Sequence, residues 1–256
     1  MTHQTVRYTK EEHVGELVLQ RPEAQNAINQ SMAEDVARIM AEIYGDEDVR
    51  ALIISGAGED FCVGTDMEAL SSANGRAQII QCLTISPFFH RFDRPVVAAI
   101  NGSALGQGLE LALACDLRVC GENSRFGLPQ VSRGEIPWDG GTQRLSRLVG
   151  RGRALQMILT GEIIDAREAR RIGLINWMVP DDEVKSKAVE VAREMAAKAP
   201  IALRFVKEAV SKGMDMTMEQ GLRLEADLYF LLHTTGDRQE GIEAFRSKRS
   251  PRFKGA

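Results

Sequence analysis

The 256-residue sequence predicts an α/β fold, a parallel sheet with helices on its faces followed by a helical tail. Three observations carry that prediction. Over the first 150 residues, continuous apolar runs such as those in "VRALIISGAG" and "RPVVAAING" alternate with helix-like stretches. Such runs mark strands buried on both faces, as in a covered parallel sheet. From about residue 151 the patterns turn helical, and no Pro-, Gly- or Ser-rich linker separates the halves. The organisation expected is a core over residues 1–195 and a C-terminal helical region over 196–256 whose amphipathic helices suit assembly.

Each element has its own signal. "TVRYTKEEHVGELVLQRP" alternates apolar and polar residues around a turn, which predicts a hairpin or two successive strands. "NQSMAEDVARIMAEIYGD" has helical spacing, with Ser31 and Glu34 reading as a capping box and Gly45 as the stop. "VRALIISGAG" is a buried strand. "GRAQIIQCLTISPFFHRFD" is helical with a kink or break at Pro87. "RPVVAAING" is a second buried strand, "GLELALACD" a short helix and "DLRVCG" a further strand. Three long helical patterns complete the chain, beginning at "RGRALQMIL", "DDEVKSKAV" and "TMEQGLRLE".

Composition narrows the function. A net charge of −4 argues against a general nucleic-acid binder, which carries a basic face. Cys62, Cys82, Cys115 and Cys120 form no zinc-like spacing, and His3, His13, His90 and His233 are scattered, so no metal site is expected. No apolar window is long enough for a membrane span, and no cationic-then-apolar leader is present, so a cytoplasmic protein is expected.

The chemistry centres on "NGSALGQGLELALACD", where Glu110 stands among glycines at the start of a small apolar helix after a buried strand. A second glycine-bearing loop, "SGAGEDFCVGTD", follows another buried strand. Free amides at such places, with a helix dipole behind them, can hold an oxygen that becomes negative. Two loops from strands of one sheet can converge on a single oxygen, which is the geometry of an oxyanion hole. Neither GxGxxG nor GxxxxGK[ST] occurs, so neither a dinucleotide site nor a P-loop is predicted.

The combination resembles the enoyl-CoA hydratase/isomerase (crotonase) family. The resemblance rests on "EDFCVGTDMEAL", "RPVVAAINGSALGQGLELALACDLRV", "FGLPQVSRGEIPWDGGTQRLSRLVG" and "EGIEAFRSKRSPRF", in that order, from about Arg21 to Phe253. It implies a crotonase-like core of ββα repeats in a spiral superhelix and a C-terminal trimerisation region. It further implies an acyl-CoA substrate, with coenzyme A as part of the substrate and no permanently bound cofactor. The partner implied is the chain itself, as a homotrimer or a dimer of trimers.

Carried over by motif, the oxyanion donors are the backbone N–H groups of Val63 and Gln107, each worth about 3–4 kcal/mol in the transition state. Glu110 matches the first of the family's two glutamates, and its pKa should rise beside apolar walls. The second falls at Gln130, a carboxamide that can orient water but cannot shuttle a proton. Asp139, in "GEIPWDGG", reads either as a helix cap or as a displaced second proton carrier. Ala24, Gly64, Thr65, Asp66, Met67, Trp138 and Lys248 are the expected substrate- and CoA-binding residues, with Asp66 more a loop holder than a reactant. The activity expected is hydration or dehydration of a conjugated enoyl-CoA, including cyclic or dienoyl acyl groups. An enoyl-CoA isomerase or C–C hydrolase on the same scaffold, and a weakly catalytic acyl-CoA binder, are the alternatives.

Overall fold

β1 (Val6–Glu11) and β2 (Val14–Leu19) pair antiparallel around a tight turn in which Glu12 adopts a left-handed conformation, φ 52°. The computed structural model to which they belong describes residues 4–72 and 75–256. α1 (Gln30–Gly45) follows, burying Val36, Ile39, Met40 and Ile43 along one stripe. Its cap is Asn29, whose side chain accepts from the Met32 amide at 2.9 Å, not the expected Ser31. Ser31 already lies inside the first turn, and Glu34 instead accepts from Gln30. β3 (Ala51–Gly56) leads to α2 (Met67–Ser72), α3 (Arg76–Leu83) and α4 (Ser86–His90). The break expected at Pro87 is present, since the stretch forms two helices, α3 and α4. The proline opens the second in its first turn, where a missing N–H costs nothing.

β4 (Val96–Ile100), β5 (Ser103–Leu105), α5 (Gln107–Ala114), β6 (Leu117–Gly121) and β7 (Arg125–Gly127) come next. They are followed by α6 (Gly141–Val149), α7 (Arg151–Thr160), β8 (Ile163–Asp165), α8 (Ala166–Arg171) and β9 (Trp177–Val179). The chain ends with α9 (Val184–Ala196), α10 (Pro200–Gly213), α11 (Met218–Leu232) and α12 (Gly236–Arg246). Pro200 separates α9 from α10.

The larger sheet runs β1-β2-β3-β4-β6-β9, parallel except for the hairpin. A smaller sheet, β5-β7-β8, stands apart. One face of the large sheet packs into the main core with α1 and α5, while the other is covered by α9 through Val184, Ala188, Val191 and Ala192. α10 is tied back by Lys207, which binds Asp116 at 2.7 Å and the Arg94 carbonyl at 3.0 Å. Its outward face, with Val206, Val210 and Met214, continues onto Met218 and Leu222 of α11 and is solvent-exposed. Among the described residues, no helix is long and apolar enough to cross a membrane.

Candidate active site

β3 and β4 are parallel neighbours, so the loops leaving their C-terminal ends lie side by side. Main-chain bonds stitch those loops together. The Cys62 amide donates to the Ser103 carbonyl at 3.0 Å, and the Leu105 amide to the Cys62 carbonyl at 3.0 Å. Gly108 makes the close approach possible: a Cβ there would sit 2.0 Å from the Cys62 oxygen, so only glycine lets α5 come this near. Gly64 has φ 119°, and a Cβ at that position would meet the Gln107 nitrogen at 3.5 Å.

The amides of the first loop do not point as expected. The Val63 N–H donates to the Gln25 carbonyl at 3.2 Å, so it is occupied within the loop. Thr65 forms a parallel bridge with Ile28, in which the Ile28 amide binds the Gly64 carbonyl and the Asp66 amide binds the Ile28 carbonyl, each at 2.8 Å. Bridge geometry turns the amide of the central residue the other way. Among the described residues the N–H of Thr65 accordingly has no partner, nor does that of Gln107, the first residue of α5. Both residues line a cavity of about 1040 Å³.

Glu110 lies one turn into α5 and is 0% exposed. Its Oε1 accepts from the amides of Asp139 (2.8 Å) and Gly141 (2.7 Å), and its Oε2 accepts from Gln130 Nε2 at 3.3 Å. Burial pushes its pKa from 4.5 to about 7; the Asp139 charge adds to the rise, while the two amides and Arg144 oppose it. β7 pairs with β5 and delivers Gln130 through the 3₁₀ turn Pro129–Arg133. Gln130 is 3% exposed, lines the cavity, and has a buried Oε1 without a hydrogen-bond partner.

Asp139 is buried and does not cap α6 as one sequence reading expected. The loop residue preceding α6 at the cap position is Gly140, and no side chain caps that helix. The Asp139 carboxylate instead turns toward the start of α4. Its Oδ2 accepts from Gln107 Nε2 (3.0 Å) and from the amides of Ser86 (3.2 Å) and Ile85 (3.3 Å). Burial raises its pKa against the lowering by Gln107 and the Ser86 amide.

The remaining sequence-derived candidates divide cleanly. Ala24, Gly64, Thr65, Asp66, Met67 and Trp138 line the cavity. Asp66 also pairs with Arg21 at 3.0 Å and accepts from the Glu68 and Ala69 amides at the head of α2. Burial alone would raise the Asp66 pKa, but Arg21 and those amides hold it below the ordinary carboxylate value. Lys248, with φ 53°, does not line the cavity of its own chain. Sequence reasoning missed the apolar walls Leu70, Ile79, Ile80 and Ile136. The pair "II" at 79–80 fits helix periodicity, which cannot tell a core face from a cavity face. His3 lies outside the described residues; among those described, no cluster of three or more His, Cys, Asp or Glu could hold a metal ion.

Gln130 and the Thr65 and Gln107 amides stand at the wall of an apolar cavity, and Glu110, with its near-neutral pKa, lies buried directly behind Gln130 rather than in the lining; the set suits acid–base chemistry on a carbonyl compound. The fold that carries them is the crotonase fold. The chain matches the enoyl-CoA hydratase/isomerase family over residues 9–256 and belongs to it. It is 38% identical to the 2,3-dehydroadipyl-CoA hydratase of Escherichia coli K12, over 96% of this chain and 97% of that protein. It is also 38% identical to the short-chain-enoyl-CoA hydratase of Clostridium acetobutylicum, over 94% of each. The crystal structure of an enoyl-CoA hydratase from Bacillus anthracis aligns with a TM-score of 0.94 at 37% identity, covering 99% of this chain and 100% of that one.

Proposed function

We propose that this enzyme is a lyase that adds water to, or removes it from, a conjugated enoyl-CoA. We place the thioester oxygen between the amides of Thr65 and Gln107, two cavity-lining donors without a partner among the described residues. Glu110 takes a proton from water as the hydroxide adds to the β-carbon. The electron pair of the double bond moves onto the thioester oxygen as an enolate, which the amides stabilise. Glu110, now protonated, returns its proton to the α-carbon as the enolate collapses, so one water is added and the carboxylate is regenerated. Gln130 holds the water with its amide and orients it beside Glu110. The single observation that carries this reading is Glu110, held by two backbone amides with its pKa near 7, which lets one group both accept and release the proton.

The relatives' names support hydration, since two are hydratases of short-chain-enoyl-CoA and 2,3-dehydroadipyl-CoA. The apolar walls from Leu70 to Ile136 and the breadth of the cavity favour acyl groups bulkier than a short straight chain, cyclic and dienoyl groups among them. One observation favours a second reading, isomerisation: Gln130 cannot ionise, and a single carboxylate suffices to move a proton between carbons. Incubation with crotonyl-CoA, a 3-enoyl-CoA and a cyclic dienoyl-CoA, followed by mass spectrometry, separates the two. A gain of one water is expected. Unchanged mass with a displaced double bond would replace the lyase reading with the isomerase one, and no turnover of any thioester would refute both.

We also read the chain as self-associating through the exposed apolar face of α10–α12, on which Met218 is 79% and Phe245 86% exposed. In a trimer, Lys248 would reach a neighbouring subunit's CoA. Sedimentation should give a multiple of the 28.2 kDa chain, and a monomer at micromolar concentration would overturn this.

A further inference from the structure

Three side chains around the site are joined in one run of hydrogen bonds. Thr65 Oγ1 donates to Gln107 Oε1 at 2.8 Å, and Gln107 Nε2 donates to Asp139 Oδ2 at 3.0 Å and to the Leu83 carbonyl at 2.6 Å. The Asp139 amide then donates to Glu110 Oε1. On its far side, Asp139 Oδ2 holds the Ile85 and Ser86 amides, and Arg144 Nη1 donates to the Asp139 carbonyl at 2.9 Å. Gln107 is 1% and Asp139 5% exposed; Asp139, like Glu110, is absent from the cavity lining, and what sets Asp139 apart is that its Oδ2 already accepts three N–H groups.

We infer that Asp139 is a positioning residue, not a proton carrier: with the Gln107 side chain it ties both amide-bearing loops and the turn between α3 and α4 to the acid. The tie fixes three things at once. It holds Thr65 against α5, so the Thr65 and Gln107 amides keep their mutual spacing. It sets the backbone at residue 139, whose amide grips Glu110. It also pins the end of α3, which carries the cavity walls Ile79 and Ile80. A carboxylate receiving three N–H groups on one oxygen is spent on structure, and the proton traffic of the reaction stays with Glu110.

The inference rests on the enoyl-thioester reading, and the test separates the two. Asp139→Asn presents a carbonyl oxygen to the same three donors but cannot carry a proton at neutral pH. Asp139→Ala removes the anchor, and Gln107→Leu cuts the run while leaving the backbone amide in place. kcat and KM are measured for whichever thioester the wild type turns over, together with the red shift of the bound enoyl chromophore, which reads carbonyl polarisation without turnover. Asp139→Asn should keep kcat within about threefold and leave the pH profile unmoved, since no acid–base group is lost. Asp139→Ala and Gln107→Leu should lower kcat about 10²-fold and weaken the red shift, as small misplacements do. If Asp139→Asn melts like the wild type yet loses about 10²–10⁴ in kcat, Asp139 moves protons and the inference is overturned. A Gln107→Leu variant with wild-type kcat and red shift would also overturn it, even if Asp139→Ala fails to fold. A wild type with neither turnover nor a red shift sinks the enoyl-thioester reading itself.

Discussion

Replacing Glu110 by Gln should slow turnover severely and stabilise the protein above neutral pH. The carboxyl is fully buried, and its pKa of about 7 in the folded chain stands against 4.5 for an ordinary glutamate. The folded state therefore holds a proton that the unfolded chain has released. Stability that is complete below the unfolded value is lost as pH climbs through 4.5 and on to about 7. That rise corresponds to about 3 kcal/mol of burial cost carried by the ionised form. Glutamine escapes the cost without losing contacts. Its carbonyl can accept from the Asp139 and Gly141 amides, and its NH₂ would face Gln130, whose unpartnered Oε1 can rotate to receive it. Calorimetry across pH is the assay. The variant should melt several degrees above wild type at alkaline pH, at about 2–4 °C per kcal/mol for a chain of this size, and the gap should close toward pH 4.5. Hydration rate should fall by about 10²–10⁴ in the same variant. A variant equally stable at all pH values would show that Glu110 is not desolvated, and the reasoning from its pKa would fail with it.

Gln130→Glu would set a second carboxylate about where Gln130 Nε2 now lies, 3.3 Å from Glu110 Oε2. Like charges at that distance should lift the apparent pKa of the pH–rate profile by about one unit or more; an unmoved profile would place Gln130 elsewhere in the working enzyme. Gly108→Ala would force a Cβ to 2.0 Å from the Cys62 carbonyl, which should cost about 3 kcal/mol by chemical denaturation and abolish activity. Gly141→Ala would press a Cβ to 3.0 Å from Glu110 Oε1 and Cγ, and should lower kcat with a smaller loss of stability. Phe245→Lys, at the most exposed apolar side chain of α12, should reduce the sedimentation coefficient while leaving the far-UV spectrum unchanged.

What the sequence disclosed follows from the range of the forces involved. The buried strands around Ile53 and Val97 and the short helix carrying Glu110 are written in local periodicity, and they occur where expected. β8 and β9, each of three residues, are too short to show alternation and were hidden in a stretch that reads as helix. The cap of α1 is Asn29 rather than Ser31 because both residue types, two positions apart, can cap, and only the backbone decides which one stands outside the first turn. The direction of the Val63 amide depends on Gln25, and the partners of Asp139 lie 32 to 54 residues away. Contacts of that span leave no trace in spacing. Glu110 was legible because a carboxylate in an apolar, glycine-rich run contradicts its surroundings; the Gln107 side chain was expected to shape the pocket, but nothing local announced its bonds to Thr65, Leu83 and Asp139.

The loops after β3 and β4 are sewn to each other by peptide groups, through Cys62, Ser103 and Leu105. Mutation can exchange many side chains there without unpicking the seam, provided Gly56, Gly102, Gly106 and Gly108 remain. The walls on α2 and α3, by contrast, are made of side chains alone, Leu70, Ile79 and Ile80. Selection could therefore retool which acyl groups are admitted while inheriting the reactive machinery unaltered, and a laboratory wishing to redirect this enzyme should mutate those two helices first.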